Sequence, residues 1–240
     1  MTRSGRFNLG VRRRLPELMD DPALDAHRHV QALRGLERIN RWSRAASILW
    51  PPIRDAASRR PGRSIRVLDV ATGAGDLPIA LWRLARRHRV PLSIDGCDVS
   101  PRAIEHAKRR ASELGAEAGF LPLDALSGAL PEGYDVVMSS LFLHHLDEAA
   151  AVGLLRRMRE AAGKLVLAND LVRSPLGLGL AYAGTRLLSA SPVVRVDGVR
   201  SVRAAWTVDE IGAMAARAGL DGATVSRRWP CRFLLRWEAA

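Results

Sequence analysis

A short apolar run that passes directly into a glycine-containing turn dominates the sequence. Residues 65–70 (Ile-Arg-Val-Leu-Asp-Val) have the composition of a buried strand, and Gly73 and Gly75 follow at once. Residues 76–78 (Asp-Leu-Pro) then open a helical pattern, in which proline suits the first turn. A strand that enters a helix through glycines lets backbone N–H groups approach a ligand, since no Cβ atom stands in the way. The stretch therefore predicts a ligand-binding turn between a strand and a helix.

The spacing of the glycines argues against two common nucleotide-binding loops. The G-x-G-x-x-G pattern of nicotinamide enzymes would need a glycine where this chain has Ala71. The phosphate-loop pattern G-x-x-x-x-G-K-[ST] does not fit either. The alternative that remains open is a buried strand with a tight turn and no ligand.

Strand and helix patterns alternate after this turn. Predicted strands cover 65–70, 92–97, 134–140 and 164–168, with a short one beginning at Phe120, and helical patterns separate most of them. Short connections in this order imply parallel strands joined by right-handed crossovers. Residues 223–229 and 231–237 alternate well enough to pair as a final antiparallel hairpin. The chain is thus predicted to be a doubly wound α/β protein.

Two stretches carry a family resemblance. Residues 69–76 (Asp-Val-Ala-Thr-Gly-Ala-Gly-Asp) resemble motif I of the class I S-adenosylmethionine (SAM) methyltransferases, most closely the ubiquinone/menaquinone branch. Residues 139–146 (Ser-Ser-Leu-Phe-Leu-His-His-Leu) are similar to motif IV of the small-molecule members. The resemblance spans roughly residues 60–238. It implies a seven-stranded, mostly parallel sheet, SAM as cofactor, and methyl transfer to oxygen or carbon of a small hydrophobic acceptor of phenolic, quinol or polyketide/lipid-like type.

The resemblance also implies which residues hold SAM. Gly73 and Gly75 would admit its methionine end, and Asp124 with Ala125 would meet the adenine. Asp98 ends the second strand 25 positions after Gly73 (98 minus 73), near the offset at which doubly wound folds place a ribose-binding acid. A solvated carboxylate is the alternative for Asp98. The complete expected set is Asp69, Ala71, Thr72, Gly73, Gly75, Asp98, Val99, Asp124, Ala125 and Ser139.

Three residues are candidates for work on the acceptor. Of His144 and His145, one would pack in the interior, and the other would face the acceptor as a general base, because imidazole titrates near neutral pH. Asp170 follows the fifth strand, where it could orient or deprotonate an acceptor or only cap the next segment. We expect no metal site, because no Cys, His, Asp or Glu cluster shows ligand spacing.

The chain divides into three predicted parts. Residues 1–20 are expected to be a basic, disordered lead-in, and residues 21–60 a helical cover that ends near Pro51-Pro52 and lies over the active site or only caps the core. Residues 61–240 would form the SAM-binding domain. Its segment 173–205, apolar and then charged, would be an inserted lid or else a hairpin that completes the core.

Charge and composition limit the partners. The net charge is +12, and arginine supplies nearly all of the basic residues. A basic lead-in can contact nucleic acid or an anionic membrane surface, or can simply be solvated. Cys97 and Cys231 match no metal spacing, and no apolar run is long enough to cross a bilayer, so a cytoplasmic location is expected. Peripheral membrane contact through the lid or the lead-in is the further option.

Two rival functions remain. The arginine excess motivates RNA or other nucleic-acid methylation, but motif IV departs from the Asn/Asp-Pro-Pro-Tyr/Phe signature of enzymes that methylate amino groups in nucleic acids or proteins. A nucleic-acid partner is therefore not favoured. The other rival is a SAM-binding regulator that performs no turnover. The sequence does not indicate the oligomeric state.

Overall fold

A seven-stranded sheet forms the centre of the molecule in the computed structural model, which describes residues 9–20, 24–25, 27–28, 31–32, 35, 45–60 and 62–239. The strands follow the order β3-β2-β1-β4-β5-β7-β6, and β7 alone runs in the direction opposite to the other strands. The predicted doubly wound α/β fold is confirmed. The strands are β1 (Ile65–Val70), β2 (Leu92–Asp98), β3 (Ala118–Pro122), β4 (Tyr134–Ser140), β5 (Ala162–Leu171), β6 (Thr224–Arg228) and β7 (Arg232–Glu238).

Helices cover both faces of the sheet. On one face Leu49 and Ile53 of the first helix pack with Leu81 of the second, and on the other Leu154 packs with Met214. Each such leucine stabilises the fold by about 1.5–3 kcal/mol through burial. The helices with described bounds are α1 (Ala45–Ser58), α2 (Asp76–His88), α3 (Pro101–Glu113), α4 (Glu148–Ala161), α5 (Pro175–Leu188), α6 (Pro192–Ala204) and α7 (Val208–Arg217).

Polar residues predicted to cap helices do so. The Ser100 hydroxyl accepts a hydrogen bond from the N–H of Ala103 at the start of α3. Thr207 and Glu210 form a reciprocal capping box at the start of α7, which satisfies two backbone donors. These local signals fix where the helices begin, and therefore where the connecting turns of the sheet lie.

Three boundaries differ from prediction. Helix α1 runs through Pro51 and Pro52 instead of ending there; buried Ile53 and its neighbours offset the backbone bonds that the prolines cannot donate. Strand β5 starts at Ala162, directly after α4, so Gly163 is a strand residue rather than a helix stop. Leu114 was expected in the buried face of α3 but follows the helix and is exposed.

Residues 9–20, within the predicted lead-in, contact the rest of the protein. They cross over α6 and end in a short 3₁₀ helix, Leu18–Asp20, whose first two N–H groups donate to the buried carboxylate of Asp197. The predicted stripe Leu33, Leu36, Ile39 and Trp42 lies outside the described residues, as do residues 1–8, and the domain boundaries stay predictions. No helix among the described residues combines the length and apolarity that a bilayer crossing requires.

Candidate active site

The turn after β1 has the open backbone that its glycines predict. Ala71, Gly73 and Gly75 all have positive φ, at 57°, 56° and 76°. A Cβ atom on Gly73 would meet nothing within 4 Å, whereas one on Gly75 would come within 2.8 Å of Ala107 and of the Phe120 ring. Gly75 is therefore required for packing, and Gly73 leaves the inner side of the turn free for a ligand.

Asp98 holds this turn against the next one. One carboxylate oxygen accepts from the N–H of Gly73 at 2.9 Å, and the other accepts from the N–H of Ser100 at 2.9 Å. Each carboxylate oxygen has a second lone pair, so the side chain can still accept hydrogen bonds from a ligand diol. The structure thus brings Gly73 and Asp98 together, as predicted from their spacing.

Asp69 is buried beneath the turn. Its Oδ2 accepts from the Thr72 hydroxyl at 2.7 Å, while its Oδ1 has no partner among the described residues. Burial, reinforced by the nearby charge of Asp98, raises the pKa of Asp69 to about 7. Gly96 permits this arrangement, since a Cβ atom there would lie 2.7 Å from the Thr72 hydroxyl. The role of Gly96 was not predicted, because the contact joins β2 to the turn after β1, which is distant in sequence.

The remaining predicted SAM-binding residues lie around the same sheet edge. Ser139 is buried and donates to the carbonyl oxygen of Val70, so it links β4 to β1. Asp124 is exposed and accepts from the N–H of Leu126. Ala125 is buried, and Val99 is 66% exposed. Their predicted contacts with SAM stay predictions.

A second polar cluster lies on the next two strands of the sheet beyond β1. It consists of residues that follow β4 and residues near the end of β5. Asp170 Oδ1 lies 2.7 Å from Nδ1 of His144, and Oδ2 accepts from the His144 backbone N–H at 3.1 Å. Burial alone would raise the pKa of Asp170, but the charge and hydrogen bonds of His144 lower it. Burial likewise opposes a charge on His144, but Asp170, aided by Glu17, raises the pKa of His144. The two residues form a buried hydrogen-bonded pair in which each favours the charged form of the other.

The structure adds a residue that the sequence analysis missed. Glu17 lies with Oε1 3.9 Å from Nε2 of His144, on the side of the ring away from Asp170. The His145 ring lies 4.2 Å from that of His144, centroid to centroid, and burial and that neighbour lower the pKa of His145 to about 4. Glu17 was assigned to the lead-in, and no local signal in the sequence links it to residues 127 positions away.

Arginines fasten the N-terminal segment to this cluster. Arg12 donates to the carbonyl oxygens of His144 and Leu146, at 2.8 and 2.7 Å, and Arg14 donates to that of His145 at 2.8 Å. Buried Arg173 reaches the Leu9 carbonyl oxygen and pairs with Glu210. Some of the arginines whose excess suggested nucleic-acid binding therefore form hydrogen bonds and ion pairs within the protein.

Strands β4, β5 and β7 contribute a third buried polar group. With its amide oriented to satisfy both partners, Asn169 accepts from the Ser140 hydroxyl at 2.9 Å and from Arg232 Nη1 at 3.0 Å. Burial lowers the pKa of the Arg232 guanidinium to about 10, against the opposing effect of Asp170. Asn169 was noted in the sequence only as an amide beside Asp170, and Arg232 was not singled out.

Both clusters occupy the edge of the sheet where strand order reverses. Strand β1 lies beside β2 and β4, so the turn after β1 and the residues after β4 border one crevice, which is where open α/β sheets bind ligands. Residues 67–163 match the family model described as a methyltransferase domain. This part of the chain is similar to methyltransferase domains.

Individual relatives differ in what they methylate. A demethylmenaquinone methyltransferase of Thermus thermophilus is 35% identical over 120 residues, which are 49% of this chain and 52% of that protein. A ribosomal protein methyltransferase of Ralstonia nicotianae is 34% identical over 131 residues, 54% of this chain and 40% of that protein. The chain thus spans about half the length of these curated relatives.

Among solved structures, the plantazolicin methyltransferase BpumL, in complex with a triazolic desmethylPZN analog and SAH, superimposes with a TM-score of 0.66. The match covers 89% of this chain and 91% of that one, at 14% identity. At this level of identity the likeness shows the shared fold. It agrees with the strand order and with the position of the crevice.

Three features of the residues around the crevice fit a SAM molecule. The inner side of Gly73 is open, Asp98 retains acceptor capacity, and the buried Oδ1 of Asp69 has no partner among the described residues. An ammonium group near Asp69 would supply the missing hydrogen-bond donor and favour the ionised carboxylate. These hydrogen-bond acceptors therefore suit SAM, which is zwitterionic and carries a diol. They suit a phosphate ligand less well, because a buried acid would repel it.

Proposed function

We propose that the chain transfers the methyl group of SAM to oxygen or carbon of a small hydrophobic acceptor of phenolic, quinol or polyketide/lipid-like type. The observation that carries this proposal is the pairing of Gly73 with Asp98 beside an open turn, with a buried Asp-His pair on the neighbouring strands. One cluster would hold the cofactor, and the other would lie next to the acceptor.

In this proposal the residues divide the work by position. Gly73 and Gly75 would accommodate the methionine end of SAM, Asp69 and Thr72 would shape the turn, Asp98 would hold the ribose, and Asp124 the adenine. The sulfonium is already activated, so the acceptor needs mainly alignment with the methyl carbon, which can lower a barrier by about 7–11 kcal/mol. The acceptor atom forms the new bond to carbon as the C–S bond of SAM breaks.

His144, His145 and Asp170 would act on the acceptor's ionisable group. Burial by itself would raise the pKa of a phenol or quinol, so the acceptor needs a neighbouring base that takes its proton as the methyl group is transferred. His145, whose pKa is lowered, is the imidazole that stays neutral at pH 7. It is the better placed of the two histidines to accept a hydrogen bond from the acceptor.

An exposed apolar face on helix α5 is the reason for proposing an apolar acceptor. Leu176, Leu180 and Leu187 recur at helical spacing on this helix and are exposed, together with Tyr182. We propose that this face serves as the lid of the acceptor site and as a contact for lipid-like molecules or a membrane surface, the latter also through the basic N-terminus. A cytoplasmic enzyme that draws its acceptor from a membrane would need such a face.

The test is methyl transfer from methyl-labelled SAM to a panel of phenols, quinols and alkyl-chain polyketides, read by mass spectrometry. Product on at least one member supports the proposal. SAM binding without transfer across the panel, together with regulation of a bound partner, would favour the non-catalytic alternative. Labelling of RNA in preference to the panel would favour the nucleic-acid alternative.

A further inference from the structure

The Glu17, His144 and His145 side chains form an unassigned cluster of three potential metal ligands. One carboxylate oxygen and one ring nitrogen from each histidine lie within 4.8 Å of one another. His144 is buried, and Glu17 and His145 are partly buried. The cluster could not be seen in the sequence, where Glu17 stands far from the two histidines, so the expectation of no metal site rested on spacing alone.

The distance between Glu17 and His144 suits ligands that share a cation. At 3.9 Å, Oε1 and Nε2 are too far apart for a hydrogen bond, which requires about 2.7–3.2 Å. Two ligands that each lie about 2.0–2.2 Å from one zinc ion are separated by about 3–3.5 Å at ordinary coordination angles. A small rotation of Glu17 toward His144 would therefore bring both atoms into range of one metal ion.

The surroundings of His144 resemble those of a metal-binding imidazole. Its Nδ1 lies 2.7 Å from Asp170, and a carboxylate at the second ring nitrogen is the usual way in which proteins orient a histidine ligand. The Nε2 atom is thereby aimed toward Glu17. The Ser201 hydroxyl donates to Glu17 Oε1 and holds that carboxylate in place.

Arg12 and Arg14 leave the ring nitrogens of the two histidines available. Arg12 and Arg14 donate to the backbone carbonyl oxygens of His144 and His145, not to their rings. Their charges partly offset those of Glu17 and Asp170, so a hard cation that binds mainly by charge would gain little. Two imidazoles and one carboxylate instead suit zinc, cobalt, nickel or ferrous iron.

We propose that Glu17, His144 and His145 bind one divalent transition-metal ion. Three protein ligands leave a coordination position open, as in catalytic rather than structural zinc sites. Its role rests on the proposed function: the ion, in place of the hydrogen bond to His145, would hold the acceptor's oxygen while that oxygen loses its proton to water and takes the methyl group of SAM, whose C–S bond breaks to leave the demethylated thioether. Binding of the ion itself does not depend on that role.

The experiment titrates the full chain, free of any histidine tag and stripped by a chelator, with cobalt chloride and zinc chloride. Calorimetry and the visible absorption of bound cobalt report stoichiometry and affinity. We expect one ion per chain, and affinity reduced about tenfold or more by Glu17→Gln and by His145→Ala. His106→Ala, which removes an exposed histidine bonded to Arg109, should leave binding unchanged.

Two results would overturn the inference: no saturable cobalt or zinc binding by the wild-type chain, or equal affinity in wild type, Glu17→Gln and His145→Ala. Thermal unfolding with and without zinc checks that the variants fold, since only a chain that retains the site is stabilised by the ion. SAM titrations on the same samples separate the two proposals. A wild-type chain that binds SAM but neither cobalt nor zinc would contradict this inference alone.

Discussion

The guanidinium of Arg12 lies flat over the indole ring of Trp206, with 3.5 Å between its central carbon and the ring centroid. The same side chain donates to backbone oxygens of His144, Leu146 and Ala204, and the indole N–H donates to the Leu143 carbonyl oxygen. One arginine thus joins the N-terminal segment, the residues after β4 and the end of α6.

Arg12→Ala should reduce the free energy of unfolding by about 2–3 kcal/mol, because it removes charge-assisted hydrogen bonds and a cation–π contact. Urea denaturation measures the change. Arg13→Ala is the matched control, since the backbone N–H of Arg13 bonds to Arg203 and its side chain is exposed. Equal effects of the two substitutions would mean that Arg12 does not fasten the segment.

Substitution of the two turn glycines by alanine should have different effects on stability and on SAM binding. Gly75→Ala should cost stability, by about 2–4 kcal/mol for overpacking plus backbone strain, because its Cβ atom would enter Ala107 and Phe120. Gly73→Ala should cost only the strain of about 1–2 kcal/mol but should weaken SAM binding more. Chemical denaturation and calorimetry with SAM distinguish them, and a reversed ranking would contradict the proposed position of SAM.

Asp98→Ala should weaken SAM binding by about 1.5–3 kcal/mol, the worth of a hydrogen bond to a charged group. Calorimetry with SAM gives the value. Asp98→Asn, which keeps one oxygen acceptor, should lose less, and the exposed Glu113→Ala serves as the neutral control. Unchanged affinity in Asp98→Ala would refute its assignment to the ribose.

The ligand-free protein should lose stability with rising pH through Asp69. The folded-state pKa of this buried acid is about 7, above its ordinary value of 3.8, so the folded state holds its proton between these pH values while the unfolded state releases it. The free energy of unfolding should therefore fall from about pH 4 to pH 7, by up to roughly 4 kcal/mol.

Asp69→Asn removes this titration, so the variant should gain stability relative to wild type as the pH rises from 5 to 8. Urea denaturation at the two pH values measures the difference. Parallel pH profiles for the two proteins would show that Asp69 finds a cation partner or stays ionised at little cost. Saturating SAM should reduce the difference, since its ammonium group favours the ionised carboxylate.

The exposed face of α5 should be needed for contact with lipid but not with SAM. Replacing Leu180 and Leu187 together by serine should lower co-sedimentation with vesicles of anionic phospholipid, because burial of each leucine contributes about 1.5–3 kcal/mol. SAM affinity should not change. Loss of SAM affinity to the same extent would show that α5 is part of the core.

Local signals in the sequence predicted much of the fold and half of the candidate site. The glycine turn, the acid at the end of β2 and the helix caps each depend on residues close to one another in sequence, and all lie where expected. The sequence predicts that the helical cover ends near Pro51 and Pro52. Helix α1 continues through them because the burial of its apolar residues outweighs the helix-breaking effect of the prolines.

What the sequence could not predict depends on contacts between distant segments. Glu17 reaches His144 only because Asp197 binds the backbone of Leu18 and Met19, and Gly96 matters only because Thr72 packs on it. Neither relation leaves a periodic pattern. The basic lead-in was therefore assigned to disorder on charge alone.

The attachment of residues 9–20 has a consequence for the order of folding. Arg12 bonds to Ala204, a partner 192 positions later, so a nascent chain emerging from the ribosome presents the segment long before its place exists. Strands β1 through β5 can assemble in the meantime, but the N-terminal segment attaches to the residues after β4 and to the end of α6 last. Catalytic competence should thus appear after secondary structure during refolding.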